Sequence, residues 1–184
     1  MIKLLLIINI LSITNATSGV VTMLEDKDYV IPASCNFNSI DLPFFSNDCS
    51  PRIKGMNTGL VINSPTTVKL TDNFSIKIAS TYSHKPINKL NLAQPIRNSI
   101  VFIAVNTETH IPLSGVIEED DMGEESPDLS EIDPEVLKTK IIGGYVNADL
   151  VSLLGIPAKP ATYIVYATVG PYVSNKIELN VTSK

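Results

Sequence analysis

Apolar and polar residues alternate with a period of two in several stretches of this chain, the pattern of a strand with one buried face. Phe74, Ile76 and Ile78 alternate with Ser75 and Lys77. Tyr163, Val165 and Ala167 alternate with Ile164, Tyr166 and Thr168, and beyond Gly170-Pro171, Ile177, Leu179 and Val181 alternate with Lys176, Glu178 and Asn180. Two such strands around a short Gly/Pro turn predict an antiparallel hairpin. Residues 100–105 form a short, β-branched-rich apolar run and predict a central buried strand. Leu60-Val61-Ile62 and Val68-Lys69-Leu70 flank a Ser64-Pro65-Thr66 turn, and residues 140–146 resume extended structure with a kink or bulge at Gly143-Gly144.

Helical signals are few and short. Asp133 is a good N-cap, Pro134 suits the first helical position, and Glu135 favours the positive end of a helix. Residues 149–155 predict one more helical turn, stopped at Gly155 with Pro157 beyond. Ahead of the strand-rich part, residues 17–58 form an extension of mixed character. Within it, Val20-Val21-Thr22-Met23 and Tyr29-Val30-Ile31 predict short strands, and residues 51–55 predict a turn. The domain plan is then a leader at 1–16, the extension at 17–58, and a β domain at 59–184 interrupted by an acidic loop at 118–135.

The leader follows from the first residues. Lys3 precedes an apolar run at 4–11 of the length of a secretory h-region, and Thr14-Asn15-Ala16 fits a small-x-small cleavage rule, placing the cut after Ala16. The run is shorter than the roughly 20 apolar residues of a membrane span. Export makes the chain secreted or periplasmic, and the two cysteines, Cys35 and Cys49, agree with it. Their spacing is not the CxxC of redox or zinc chemistry, and an oxidising compartment pairs them into a disulfide.

Net charge is −5, so the basic face that nucleic acid or an anionic membrane requires is lacking, and there is no Trp for a stacking platform. The acid is concentrated. Glu118, Glu119, Asp120 and Asp121 open a run that continues through Glu124, Glu125, Asp128, Glu131, Asp133 and Glu135. Such a run repels itself and predicts a solvated loop. Asp120, Asp121 and Asp128 could give oxygen ligands to Ca²⁺, although the EF-hand register is missing. His84 and His110 are isolated and read as surface residues. No Gly-x-Ser-x-Gly elbow or phosphate loop occurs, so no enzyme chemistry and no cofactor is indicated. Asn73-Phe74-Ser75 and Asn180-Val181-Thr182 match the glycosylation pattern, but both fall in predicted strands and read as chance.

Residues 160–167 and 174–181 resemble the last two strands of bacterial immunoglobulin-like and fibronectin-like domains, and the resemblance extends over roughly residues 59–183. It implies an all-β chain, an antiparallel immunoglobulin-like β-sandwich with a disulfide-stapled N-terminal extension and one or two short helical turns. It places Tyr163 as a structural tyrosine corner. No core cysteine pair or Trp is available, so an antibody-type domain is excluded.

Fold resemblance leaves function to the loops. The first reading is an exported, non-enzymatic binding or structural module that contacts a protein partner. The second is a secreted protease inhibitor using the 35–49 loop, with Phe44 and Phe45 either core anchors or the exposed contact. The third is a Ca²⁺-dependent adhesion or carbohydrate-binding module using the acidic run.

Overall fold

Alternating stretches bury one row of side chains, and here the rows of two sheets meet. The structure is a computed structural model that describes residues 21–86, 90, 92, 94–118 and 132–183. In chain order its strands are β1 (Tyr29–Val30), β2 (Arg52–Ile53), β3 (Gly59–Asn63), β4 (Thr67–Lys69), β5 (Lys77–His84), β6 (Val101–Asn106), β7 (Pro112–Val116), β8 (Ile142–Tyr145), β9 (Ala148–Asp149), β10 (Ala161–Val169), β11 (Tyr172–Val173) and β12 (Ile177–Thr182). The larger sheet has the order β4-β12-β10-β6-β7, with β11 added to the end of β10. The smaller has the order β3-β5-β8, with β9 also pairing β5, and β1 pairs β2 separately. Strand pairings are antiparallel except that of β4 with β12. The chain is therefore mostly β.

Leu60, Ile62, Ile78 and Tyr82 of the smaller sheet share one buried cluster with Phe102, Ala104, Val165 and Leu179 of the larger. Burying each large apolar side chain contributes about 1.5–3 kcal/mol, so this shared core is the main source of stability. Of two short α-helices among the described residues, only the second joins this core. α1 (Pro134–Lys138) is capped by Asp133, whose Oδ1 accepts from the Glu135 N–H at 2.9 Å. α2 (Leu150–Leu154) is capped by Asp149 and ends at Gly155 with φ 66, the left-handed conformation glycine adopts without a Cβ penalty. Leu150 and Leu154 enter the core. The Leu153 carbonyl lies so close to β7 that a Cβ on Gly115 would stand 2.9 Å from it.

Residues 21–58 cover the outer face of the smaller sheet. Leu24 sits over Gly59, Ile40 is buried with Cys49 against Ala79, and the Thr81 and Ser83 hydroxyls donate to the carbonyls of Pro51 and Asn57, each at 2.7 Å. This explains why every residue of β3 is buried: one face meets the core and the other meets the extension.

Several expectations shift. The strand read at 74–79 begins at Lys77 and runs on to His84. The run at 100–105 is buried only at alternate positions, because the outer face of the larger sheet is half-exposed at Val101, Ile103 and Val105. Arg52-Ile53 is a strand, not a turn, because it pairs with β1. Gly143 and Gly144 make no bulge. Their register with Ser83 and Tyr82 is continuous, and glycine is needed because a Cβ on Gly143 would stand 2.7 Å from the Tyr82 carbonyl oxygen and one on Gly144 would meet the Tyr82 hydroxyl and ring at 2.8–3.1 Å.

Candidate functional site: the stapled loop

Cys35 and Cys49 are joined in a disulfide with a Cα–Cα distance of 5.2 Å. Within the loop they close, Asn36 caps a single 3-10 turn, Phe37–Ser39, by accepting from the Asn38 N–H at 3.1 Å. The loop is then fastened to the smaller sheet by side chains that reach its backbone. Lys77 Nζ donates to the Asn38 and Ile40 carbonyls at 3.0 and 2.9 Å, and Asn63 Nδ2 donates to the Cys49 carbonyl at 2.9 Å.

The second half of the loop hangs on Asn147, which is fully buried between β8 and β9. Its Nδ2 donates to the Asp41 carbonyl at 2.9 Å and to the Phe45 carbonyl at 2.7 Å, while its backbone N–H donates to the Pro43 carbonyl at 2.6 Å. Three donors thus hold residues 41–45, where the Leu42–Pro43 peptide is cis. The side-chain orientation is forced, since a flipped amide would set Oδ1 against two carbonyl oxygens. Oδ1 makes no hydrogen bond among the described residues.

This anchoring separates the two phenylalanines. Phe44 turns inward, packs on the main core and carries the Arg97 guanidinium over its ring at 5.0 Å. Phe45 is 61% exposed, and Leu42 is 40% exposed. Beyond Phe45, a cleft of about 290 Å³ is lined by Ser46, Asn47, Asp48, Arg52 and Tyr145, among others. Its floor is rigid: the Ser50 hydroxyl accepts from the Asn47 N–H and Asn47 Oδ1 from the Cys49 N–H. Phe45, Arg52 and Tyr145 are all exposed, and aromatic and Arg side chains carry much of the binding energy at protein interfaces.

The remaining sequence candidates stand apart from this loop. Asp120, Asp121 and Asp128 lie outside the described residues. Among the described residues, no three His, Cys, Asp or Glu side chains gather into a metal site. Tyr163 is buried at the start of β10, with register partners Asn106 and Leu179. His110 is exposed in the β6–β7 turn with φ 57. Asn73 occupies an exposed turn, not a strand, whereas Asn180 lies within β12 and its Oδ1 accepts from the Thr162 hydroxyl at 2.8 Å. Sequence reasoning missed Asn147, Asn63 and Lys77. For Asn147 a signal existed: one amide between the apolar Val146 and Ala148, where a polar group survives burial only by hydrogen bonding.

His84 departs from its surface reading, since it ends β5 half-buried. Burial holds its imidazole below the ordinary 6.5, opposed by a backbone hydrogen bond with the Lys85 carbonyl. A base whose folded pKa is depressed binds fewer protons folded than unfolded. Its contribution is whole above the unfolded value and is lost as pH falls below about 6.5. Melting temperature should therefore decline from pH 7 to pH 5 less steeply in His84→Gln than in the native chain; identical slopes would refute the assignment.

No protein-family model and no curated protein matches this chain.

Proposed function

We propose that this chain is an exported, non-enzymatic binding module with an immunoglobulin-like β-sandwich, and that it grips a protein partner with the stapled loop. The observation that carries the reading is Phe45: a large apolar side chain exposed on a backbone that a disulfide, Asn63, Lys77 and Asn147 hold in place. Ordering a loop on binding costs affinity, and a loop ordered beforehand avoids that cost. The cleft beside it supplies polar groups for a rim.

The strand order supports the sandwich. β3, β5 and β8 match strands A, B and E of that fold, β6, β10 and β12 match C, F and G, and β7 extends the second sheet beyond C. The chain departs from it in carrying its disulfide in the extension instead of across the sheets. The disulfide also supports an oxidising compartment, and no helix among the described residues is long and apolar enough to cross a membrane.

A narrower version, protease inhibition, has the same loop enter an active-site cleft with Phe45 as its specificity residue. A panel of chymotrypsin-like and other proteases separates the two: inhibition that Phe45→Ala abolishes supports the inhibitor, and no inhibition discards it. For the general reading, chemical cross-linking of the full chain to its partners in its own organism should capture a protein that Phe45→Ala captures about tenfold less, the effect of one interface anchor. Stability should change by less than about 0.5 kcal/mol, because Phe45 touches water. Equal capture by both chains would remove the loop from the interface. Calcium dependence, which would draw on Asp120, Asp121 and Asp128, is checked by the melting temperature with calcium chloride against chelator; no shift ends that reading.

A further inference from the structure

A second recognition surface lies away from Phe45, along β4. This strand ends the order of the larger sheet, so among the described residues only one of its edges is paired. The parallel register sets Thr67 opposite Asn180 and Lys69 opposite Thr182, and the bonds from the Asn180 N–H to the Thr66 carbonyl (2.8 Å) and from the Leu70 N–H to the Thr182 carbonyl (3.0 Å) fix the alternation. Val68 therefore turns its N–H and C=O toward β12. Thr67 and Lys69 turn theirs away, and both residues are exposed. Unpaired strand-edge groups of this kind are a template for another strand.

The edge opens into a groove of about 580 Å³ between the two sheets. Phe37 of the stapled loop forms part of the opposite wall, with Ser75 ahead of β5 and Lys77 at its start, and Asn73 also lines it. The groove runs against the charge of the molecule. The chain as a whole is at −5, yet the lining holds Lys69 and Lys77 and no carboxylate. Lys77 Nζ spends two donors on carbonyls, which are neutral, so among the described residues its charge is not cancelled and one donor remains. Asp149, bonded to the lining residue Ser75, is turned to the Ile76 and Val151 N–H groups and the Ser75 hydroxyl, where it caps α2, and Asp72 lies in the exposed turn between the lining residues Thr71 and Asn73.

We propose that the groove beside β4 is a strand-addition site for an extended, acidic peptide segment of a partner protein. Main-chain bonds to Thr67 and Lys69 supply register, and the two lysines select carboxylate side chains. The strand edge favours a peptide over an acidic oligosaccharide, which has no N–H and C=O ladder to offer.

The probe is an N-acetylated hexapeptide of alternating Glu and Val, compared with its Lys/Val counterpart and with polygalacturonate. Hydrogen exchange on the full chain, followed by NMR, should show the Thr67 and Lys69 amides gaining protection with the acidic peptide, while the Val68 and Leu70 amides, already bonded to β12, do not change. Binding should weaken with salt, and Lys69→Glu should weaken it about tenfold, as reversal of one rim charge does. Thr67→Pro removes a groove-facing N–H without touching the β12 ladder and should abolish binding with the circular dichroism spectrum unchanged. Phe45→Ala should leave the peptide's affinity intact, which keeps this site separable from the loop. Equal binding of the acidic and basic peptides, protection at Val68 and Leu70 instead, binding of polygalacturonate in place of the peptide, or no binding at millimolar peptide would each overturn the proposal.

Discussion

Reducing the Cys35–Cys49 bridge should lower the unfolding free energy by about 3 kcal/mol and leave both sheets folded. The size comes from the denatured chain: a cross-link with a sequence separation of 14 removes loop-closure entropy worth about 3 kcal/mol. The survival of the fold comes from where the core lies. The large buried cluster is built from strands of the two sheets and α2, and neither cysteine belongs to it. Cys49 belongs instead to the small cluster with Ile40 and Ala79 on the outer face of the smaller sheet. A domain of ordinary stability, about 5–15 kcal/mol, survives such a loss. Denaturant unfolding of the native chain, with and without reductant, should show the midpoint falling and far-UV circular dichroism holding at zero denaturant. The denaturant slope should rise slightly, because the reduced unfolded chain is more open. A chain that is unfolded at room temperature once reduced would mean that the extension, not the paired sheets, nucleates the core. A shift below about 1 kcal/mol would mean the loop is ordered by its hydrogen bonds alone.

What could be read from the sequence follows from the range of each interaction. The hairpin at residues 161–182 was legible because its pattern is local: Tyr163, Val165, Ala167 and Val169 face the core, and Leu179 and Val181 answer them across the register. The Asp133 cap and the Gly155 stop were legible for the same reason, since Asp133 bonds to an N–H two residues on and Gly155 to the Val151 carbonyl one turn back. Sheet membership was not. Leu60-Val61-Ile62 and Val68-Lys69-Leu70 flank one turn, yet β3 pairs with β5 and β4 pairs with β12, more than 100 residues away. The Ser64-Pro65-Thr66 turn passes the chain from one sheet to the other, and nothing local announces it. The candidate site divides in the same way. The disulfide was legible from the cysteine spacing, which is not that of a redox or zinc motif, and from the expectation of export. The opposite fates of Phe44 and Phe45 were not, because adjacent, identical side chains are sorted by Asn147, about 100 residues further on.

That dependence makes Asn147 the sharpest test of the loop. Asn147→Ala removes two hydrogen bonds from a fully buried amide and should cost about 2 kcal/mol, at about 1 kcal/mol each. The loss is limited in two ways. The backbone bond to the Pro43 carbonyl remains, and the unpartnered Oδ1 leaves together with the amide. Asn147→Asp keeps the shape and should cost more than Ala. It sets a carboxylate against the Asp41 and Phe45 carbonyls in a site with no water-facing surface, where an acceptor meets only acceptors. Limited proteolysis then reports on function: cleavage between residues 41 and 46 should accelerate in both variants, with the sheets intact, because the segment presenting Leu42 and Phe45 has lost its clamp. Capture of the partner should fall alongside, although neither variant changes an exposed side chain, and this separates preorganisation from contact. If Asn147→Asp matches the native chain in stability, or if the loop resists protease in both variants, the exposed phenylalanine is held by the disulfide alone and the proposed binding surface loses its rigidity.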